Sequence, residues 1–284
     1  ARGDSGAPDA YQTLALPTPE QFWPLFGDLS FDESVSAGAA NLTAALGDAI
    51  GPTVVFGYSQ SARIATVVQR TVVGGSELSF VLVANPNRPN GGILQRFAGL
   101  VVPVLGVTFD GATPTDRFPT ADISQQYDGW SDFPARPLNL LADLNALAGI
   151  ALLHSHYDMA VDDTMVQTVT GDTTYYLIPT PRLPILMALE YLGVPSPILT
   201  ALDAPLRVII EWAYDRSDPG EATLARTTGQ TDLVTAASNL AAAIPTGLDD
   251  GLAGAGMGRP FGAVAAGPFG VGGPPVTPRP GTPV

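Results

Sequence analysis

Gly57-Tyr58-Ser59-Gln60-Ser61 is the stretch of this chain whose residue types and spacing most clearly suit a chemical task. A short apolar run, Val54 to Phe56, ends at Gly57; Ser59 follows two residues later, and Ser61 to Thr71 is compatible with a helix. A serine at the tip of a sharp strand-to-helix turn is held in a strained backbone conformation that lifts Oγ away from the sheet, ready to act as a nucleophile. The helix start then brings backbone N–H groups to where an oxyanion would form, the first of them expected from Gln60. The usual pattern is G-x-S-x-G, because strand and helix pass close together at the last position. Here that position is Ser61, the next smallest polar choice.

A serine nucleophile needs a base, and the chain has only two histidines, His154 and His156. Both follow Ser59, as the order Ser…Asp…His requires. Between them and the serine lies Tyr127-Asp-Gly-Trp-Ser-Asp132-Phe-Pro134. An acid just past a late strand would accept Nδ1–H from the imidazole, set its tautomer and stabilise the imidazolium. Asp132 fits the Gly-x-x-Asp spacing best and Asp128 is the alternative; an aspartate that only caps a turn has the same signature. The histidines sit two apart, so in an extended segment both face one side. A metal reading competes: His154-Ser-His156-Tyr-Asp158 matches H-x-H-x-D, with Asp162 and Asp163 as further oxygen donors. Such sites draw on histidines elsewhere, and this chain has none to give.

Several elements must position these groups. Phe31, Val35, Ala39, Leu42, Leu46 and Ile50 are spaced by three and four, which predicts an amphipathic helix over 31–49. Gly51-Pro52 stops it before the strand that leads to Ser59. Ser79 to Ala84 reads as a second buried strand, closed by the turn-rich segment 85–92. Helix, strand, helix, strand in this order implies right-handed crossovers and a parallel sheet. Residues 101–109 read as a further strand or an excursion over the sheet edge, 121–127 as a strand, and 137–149 as a helix. From Leu183 to Trp212 the chain is apolar but interrupted by Pro184, Pro195, Pro197 and Pro205, which suits several short helices. These form either a lid over an acyl pocket or a helical layer of the core. One more helix is expected over 230–244. Beyond about residue 247 glycine, proline and alanine dominate, the composition of an extended or packed-on tail.

Composition narrows the function classes. The formal net charge is −14 and every one of the thirteen basic residues is arginine, so a phosphate backbone would be repelled and nucleic acid is excluded as a partner. Without cysteine there are no disulfides and no thiolate metal sites. No apolar run approaches the ~20 residues of a membrane span. Residues 1–9 lack a signal-peptide pattern, as a mature exported chain or a cytosolic one would.

Phe31-Asp-Glu-Ser-Val, Gly57-Tyr-Ser-Gln-Ser-Ala62, Ala84-Asn-Pro, Gly111-Ala-Thr-Pro-Thr-Asp116, the 127–134 run, His154-Ser-His-Tyr157 and Tyr214-Asp-Arg216 occur in this order. Together they resemble the PE-PPE C-terminal domain family of mycobacteria and relatives, cutinase-like serine α/β hydrolases of the cell envelope. The resemblance covers roughly residues 28–220. It implies that Ser59 is the nucleophile, that His154 rather than His156 is the base, and that the reaction is ester hydrolysis or acyl transfer on lipid-like substrates, some members acylating trehalose glycolipids. It also implies an exported, envelope or secreted location and peripheral contact with envelope lipids. One departure stands out: members usually open with a strand ending in a Gly-Gly-Thr-Gly-like turn, and Tyr11 to Gln21 has no such glycines. The second oxyanion donor is therefore not identified.

The expectation is an α/β-hydrolase fold with a mostly parallel central sheet, helices on both faces and a helical cap. Residues 1–247 would form the catalytic domain, with the cap at about 183–212, and residues 248–284 a tail. Ser59, His154 and Asp132 would be catalytic, the Gln60 N–H would serve the oxyanion, and neither cofactor nor metal would be needed; the alternatives are a metal-dependent hydrolase using His154, His156 and Asp158, or a catalytically silent envelope binding protein that keeps the fold.

Overall fold

The computed structural model describes residues 12–73, 77–157, 165–227 and 232–274. Helix α1 (Phe31–Asp48) begins at a capping box: Ser30 Oγ accepts from the Glu33 backbone N–H, and the Glu33 side chain reaches back to the Ser30 N–H. Strand β1 (Thr53–Tyr58) runs straight into helix α2 (Gln60–Thr71) through Ser59 alone. Strand β2 (Leu78–Val83) follows, then the short helix α3 (Ile93–Arg96). β3 (Val101–Val102) and β4 (Val107–Thr108) pair only with each other, so residues 101–109 form an excursion rather than a sheet strand. Strand β5 (Thr120–Gln125) leads to helix α4 (Leu140–Leu152), whose N-terminus is capped by Asn139. A hairpin of β6 (Val166–Thr170) and β7 (Thr173–Ile178) completes the sheet.

The sheet has the order β1-β2-β5-β7-β6, with β6 antiparallel and the other four parallel. This is a mixed, mostly parallel sheet flanked by helices, an α/β fold. The carboxyl ends of β1, β2 and β5 therefore lie side by side, where open α/β sheets place their ligands. Just past the end of each of these three strands stands a residue of positive φ that is not glycine: Ser59 at 55°, Ala84 at 53° and, two residues after β5, Tyr127 at 69°. Such backbone costs energy and persists only where packing over-determines it.

Two apolar cores hold the elements. One is built from α1, α2, β1, β2 and α3, with Val35, Val55, Ile64, Phe80, Leu82 and Leu94 among its buried members. The other gathers Tyr127, Ala142, Leu153, Leu183, Leu199 and Tyr214. The proline-punctuated segment supplies much of the second core as α5 (Pro184–Tyr191) and α6 (Ser196–Glu211), both packed against α4.

Helix α7 (Leu233–Gly254) carries Pro245 inside it and runs past the boundary expected near residue 247. The small residues there serve close packing: a Cβ on Gly247 would stand 2.2 Å from the Ala201 carbonyl oxygen, and one on Gly251 would meet the Ala201 side chain at 2.7 Å. Gly247 and Gly251, part of the composition that suggested a tail, thus lie on the contact face of a helix pair. No helix among the described residues is long and apolar enough to cross a membrane.

Candidate active site

Ser59 sits between β1 and α2 with φ 55° and ψ −116°, the strained turn expected of a nucleophile elbow. The close approach that the motif demands falls at Gly57 rather than at its last position. A Cβ on Gly57 would stand 2.6 Å from the Ser61 carbonyl oxygen and 2.8 Å from Ala62 N and Cα. Ser61 instead points away and donates its hydroxyl to Glu20 Oε1 at 3.0 Å. The serine that replaces the usual glycine thus ties the segment before α1 to the elbow.

Gln60 makes a second tie. Its side chain accepts from Ser34 Oγ at 2.8 Å and donates to the Gln21 carbonyl oxygen at 2.9 Å. The Gln60 backbone N–H stands in the first turn of α2, where backbone donors have no intrahelical partner.

Ser59 Oγ lies 2.7 Å from His154 Nε2. On the other side of the imidazole, Nδ1 is 2.9 Å from Asp128 Oδ2 and 3.0 Å from Oδ1. An ionised carboxylate can only accept, so Nδ1 carries the proton and Nε2 is left to accept from the serine hydroxyl. Asp128 is fully buried, and the His154 side chain is 14% exposed, enough to face a substrate.

The aspartate expected by spacing, Asp132, is the one that the structure corrects. Its Oδ2 accepts from the Tyr127 backbone N–H at 2.8 Å and its Oδ1 pairs with Arg216 Nη1 at 2.7 Å. It closes the turn after β5 and anchors an arginine that also grips Glu211. The reason is the backbone: Tyr127, at φ 69° and two residues past the end of β5, turns the chain and delivers Asp128, the next residue, to the imidazole. Asp132 comes round on the other limb of the same turn, with its N–H bonded to the Asp128 carbonyl.

His154 owes its place to α4. Leu153 N–H and His154 N–H both bond to the Gly149 carbonyl, so the helix ends in a tight turn. Gly149 is what lets this helix sit on the Asp128 turn: a Cβ there would lie 1.9 Å from the Tyr127 carbonyl oxygen. Tyr58, next to Ser59, donates its hydroxyl to the His154 carbonyl oxygen, so consecutive residues hold the main chain and the ring of the same histidine. Burial, with the charge of Asp128 second, pushes the Tyr58 hydroxyl up to about 12.

Further donors satisfy Asp128: Tyr157 OH at 2.6 Å, Ser131 Oγ at 3.1 Å and the Trp130 backbone N–H at 3.1 Å. Tyr157 oxygen itself accepts from the Gln125 N–H at 2.8 Å. Burial, reinforced by Asp128, raises its hydroxyl well above the ordinary tyrosine range, so it stays a donor. Trp130 stands 6.1 Å from the His154 ring, centroid to centroid, and 6.4 Å from Phe22. Tyr58, Trp130, Ser131 and Tyr157 lie within the sequence motifs but carry no catalytic signature of their own. The signal was their adjacency to Ser59, Asp128 and His154.

His156 does not join the site; it is exposed and its Nδ1 lies 3.2 Å from Ser155 Oγ. Asp158, Asp162 and Asp163, the other donors of the metal reading, lie outside the described residues. Among the described residues, no three His, Asp or Glu side chains gather as a metal site would need.

Comparison with known proteins extends these findings. The family model described as the PE-PPE domain matches residues 8–215. Esterase PE16 of Mycobacterium tuberculosis is 42% identical over 227 residues, which cover 73% of this chain and 43% of that protein. SL1278 acyltransferase Chp1 of the same organism is 34% identical over 225 residues, covering 72% of this chain and 54% of the relative. Diacyltrehalose acyltransferase Chp2, also from that organism, is 28% identical over 205 residues, covering 65% and 57%. The chain spans less than half the length of the esterase it matches. No solved structure matches it significantly.

Proposed function

The chain belongs to the PE-PPE domain family, whose fold is α/β-hydrolase-like, and from that premise we propose that it is a serine esterase or acyltransferase acting on acyl esters of lipids. The observation that carries the proposal is the unbroken hydrogen-bond chain from Ser59 Oγ through His154 to Asp128. Three groups on separate elements lie in the order that acyl transfer uses, and a carboxylate at Nδ1 favours the tautomer that leaves Nε2 as the base. The words esterase and acyltransferase in the names of the relatives agree with it.

Ser59 Oγ attacks the ester carbonyl carbon while its proton passes to His154 Nε2. The carbonyl oxygen becomes an oxyanion facing the Gln60 N–H. The C–O bond to the leaving alcohol breaks as His154 returns its proton to that oxygen, leaving an acyl-Ser59 intermediate. Water, or a sugar hydroxyl, then gives its proton to His154 and attacks the acyl carbon, and Ser59 departs reprotonated. Asp128 accepts Nδ1–H throughout and stabilises the imidazolium. The diacyltrehalose in one relative's name points to a glycolipid as donor or acceptor; the envelope location rests on the family resemblance alone.

A fluorophosphonate probe tests the assignment. The expected result is stoichiometric labelling of the wild-type chain and none of Ser59→Ala; labelling that persists in the variant removes Ser59 as nucleophile. The mechanism is indifferent to EDTA, so activity lost to the chelator and restored by a divalent cation would favour the metal reading instead.

A further inference from the structure

Tyr127 is held at both ends by one circuit of hydrogen bonds. Its backbone N–H donates to Asp132 Oδ2 at 2.8 Å, and its hydroxyl donates to Glu211 Oε1 at 2.7 Å. Arg216 joins the two carboxylates. Its Nη1 donates to Asp132 Oδ1 at 2.7 Å, while Nε and Nη2 donate to Glu211 Oε2 and Oε1, each at 2.9 Å. The phenol oxygen in turn accepts from Arg207 Nη1 at 3.4 Å. Burial, with the charge of Glu211 second, raises the Tyr127 hydroxyl well above the ordinary tyrosine range, so it remains a donor.

Little water reaches this circuit. Tyr127 is fully buried, and the Glu211 and Arg216 side chains are 9% and 12% exposed. Phe269, from the segment after α7, lays its ring 5.3 Å from the Arg216 guanidinium. The carbonyl oxygen of Pro268 accepts from Arg207 and from the side chain of Gln126, the residue before Tyr127. Gln126 Nε2 also donates to Glu211 Oε1 at 3.1 Å. Arg216, Pro268 and Phe269 all lie beyond residue 215, where the match to the family model ends.

Glu211 is unfavourable where it stands. It is the last residue of α6, the helix end that disfavours negative charge. A nearly buried carboxylate, even a paired one, often stabilises less than an apolar side chain of its size. Tyr127, a bulky residue at φ 69°, adds backbone strain at the other end of the same hydrogen bond. Both penalties converge on the residue before Asp128. Stability does not account for them; the placement of Asp128 does.

We propose that Glu211 is a positioning residue: by holding the Tyr127 hydroxyl it fixes the strained backbone that presents Asp128 to His154. The lever is one residue long, and a misplacement of about 1 Å can cost a hundredfold in rate. The role presupposes the proposed Ser59 acyl-transfer chemistry. Asp132→Asn keeps an oxygen for the Tyr127 N–H, so the loss expected here belongs to the phenol end alone.

Steady-state kinetics on p-nitrophenyl butyrate, corrected for the folded fraction, test it through a double-mutant cycle. Tyr127→Phe removes the hydroxyl and keeps the ring; kcat should fall about tenfold with KM within about twofold of wild type. Glu211→Gln leaves one oxygen where two met four donors, and should lower kcat at least as far. The double variant should be no slower than the slower single one, because both changes remove the same restraint. Unchanged kcat per folded molecule in the single variants, with only the melting temperature lowered, makes the circuit structural and overturns the proposal. Losses that multiply in the double variant overturn it too, since Glu211 would then act by a route other than Tyr127. If Glu211→Gln does not fold, Tyr127→Phe alone decides. An inactive Ser59→Ala beside a fully active Tyr127→Phe removes the positioning role only; turnover by Ser59→Ala removes the catalytic reading beneath it.

Discussion

Tyr157 donates its hydroxyl hydrogen at 2.6 Å to Asp128 Oδ2, the same oxygen that faces His154 Nδ1 at 2.9 Å. The residue that is oriented and the residue that holds its orienter are three positions apart in one short segment. Displacement of that segment moves both together.

Tyr157→Phe keeps the ring and removes the hydroxyl. The expected result is a kcat loss of roughly ten- to a hundredfold, from the range of one hydrogen bond to a charged group. KM for a soluble ester should stay within about twofold, since no substrate contact is lost. A merely structural role would instead lower the melting temperature and leave kcat per folded molecule unchanged.

The two aspartates of the β5 turn separate cleanly. Asp128→Asn should lower kcat by about 10⁴-fold, because the amide allows the wrong imidazole tautomer, while the protein melts near the wild-type temperature. Asp132→Asn should retain catalysis per folded molecule but cost on the order of 3 kcal/mol of stability by stripping a buried partner from Arg216. Steady-state kinetics with chemical denaturation of both variants would decide, and the opposite pattern would return Asp132 to the site.

Asp143 gives a pH signature. Burial pushes its carboxyl up to about 6, and its Oδ1 is buried without a hydrogen-bond partner. The folded state therefore holds this proton more tightly than the unfolded chain. The favourable contribution is complete below the ordinary carboxylate range and is lost as pH rises through about 6. Asp143→Asn removes the charge and should raise the melting temperature by about 1–3 °C at pH 8, a small gain because the group is partly solvated. At pH 3.5 the two proteins should melt together. A gain of equal size at both pH values would contradict the assignment.

Gly57 and Ser61 test the elbow. Gly57→Ala would drive a methyl group into the Ser61 carbonyl and the Ala62 backbone, so both activity and soluble yield should fall sharply. Ser61→Ala removes only the bond to Glu20. Its fold should survive, with the segment before α1 exchanging amide hydrogens faster. Normal activity in Gly57→Ala would show that strand and helix do not meet there as described.

The elbow was legible because its determinants are local: a short apolar run, a glycine, a serine and a helix start, all within a dozen residues. His154 was legible through scarcity, with the family resemblance choosing between two candidates. Asp128 was not separable from Asp132, because both lie in one turn. The choice depends on the positive φ of Tyr127 and on how α4 seats against its carbonyl, neither of which has a sequence signature at a tyrosine. The β6–β7 hairpin escaped notice although Gly171, at φ 59°, marks its turn and Tyr175 and Tyr176 suit a strand. The extent of α7 is hidden in the sequence for a different reason. Glycine and proline report the absence of side-chain bulk and of an N–H, and helix packing can make use of both.

Ser59 is flanked by Val55 and Ala62 of the first apolar core, whereas Leu153 and Tyr127, the immediate neighbours of His154 and Asp128, belong to the second. The Ser59–His154 hydrogen bond therefore spans a seam between two clusters of packed side chains. Heat or solvent that lets the two clusters slip by a fraction of a bond length would break that hydrogen bond while the helices and strands persist. Catalysis would then report how well the clusters are registered, and would fail at a lower temperature than secondary structure does.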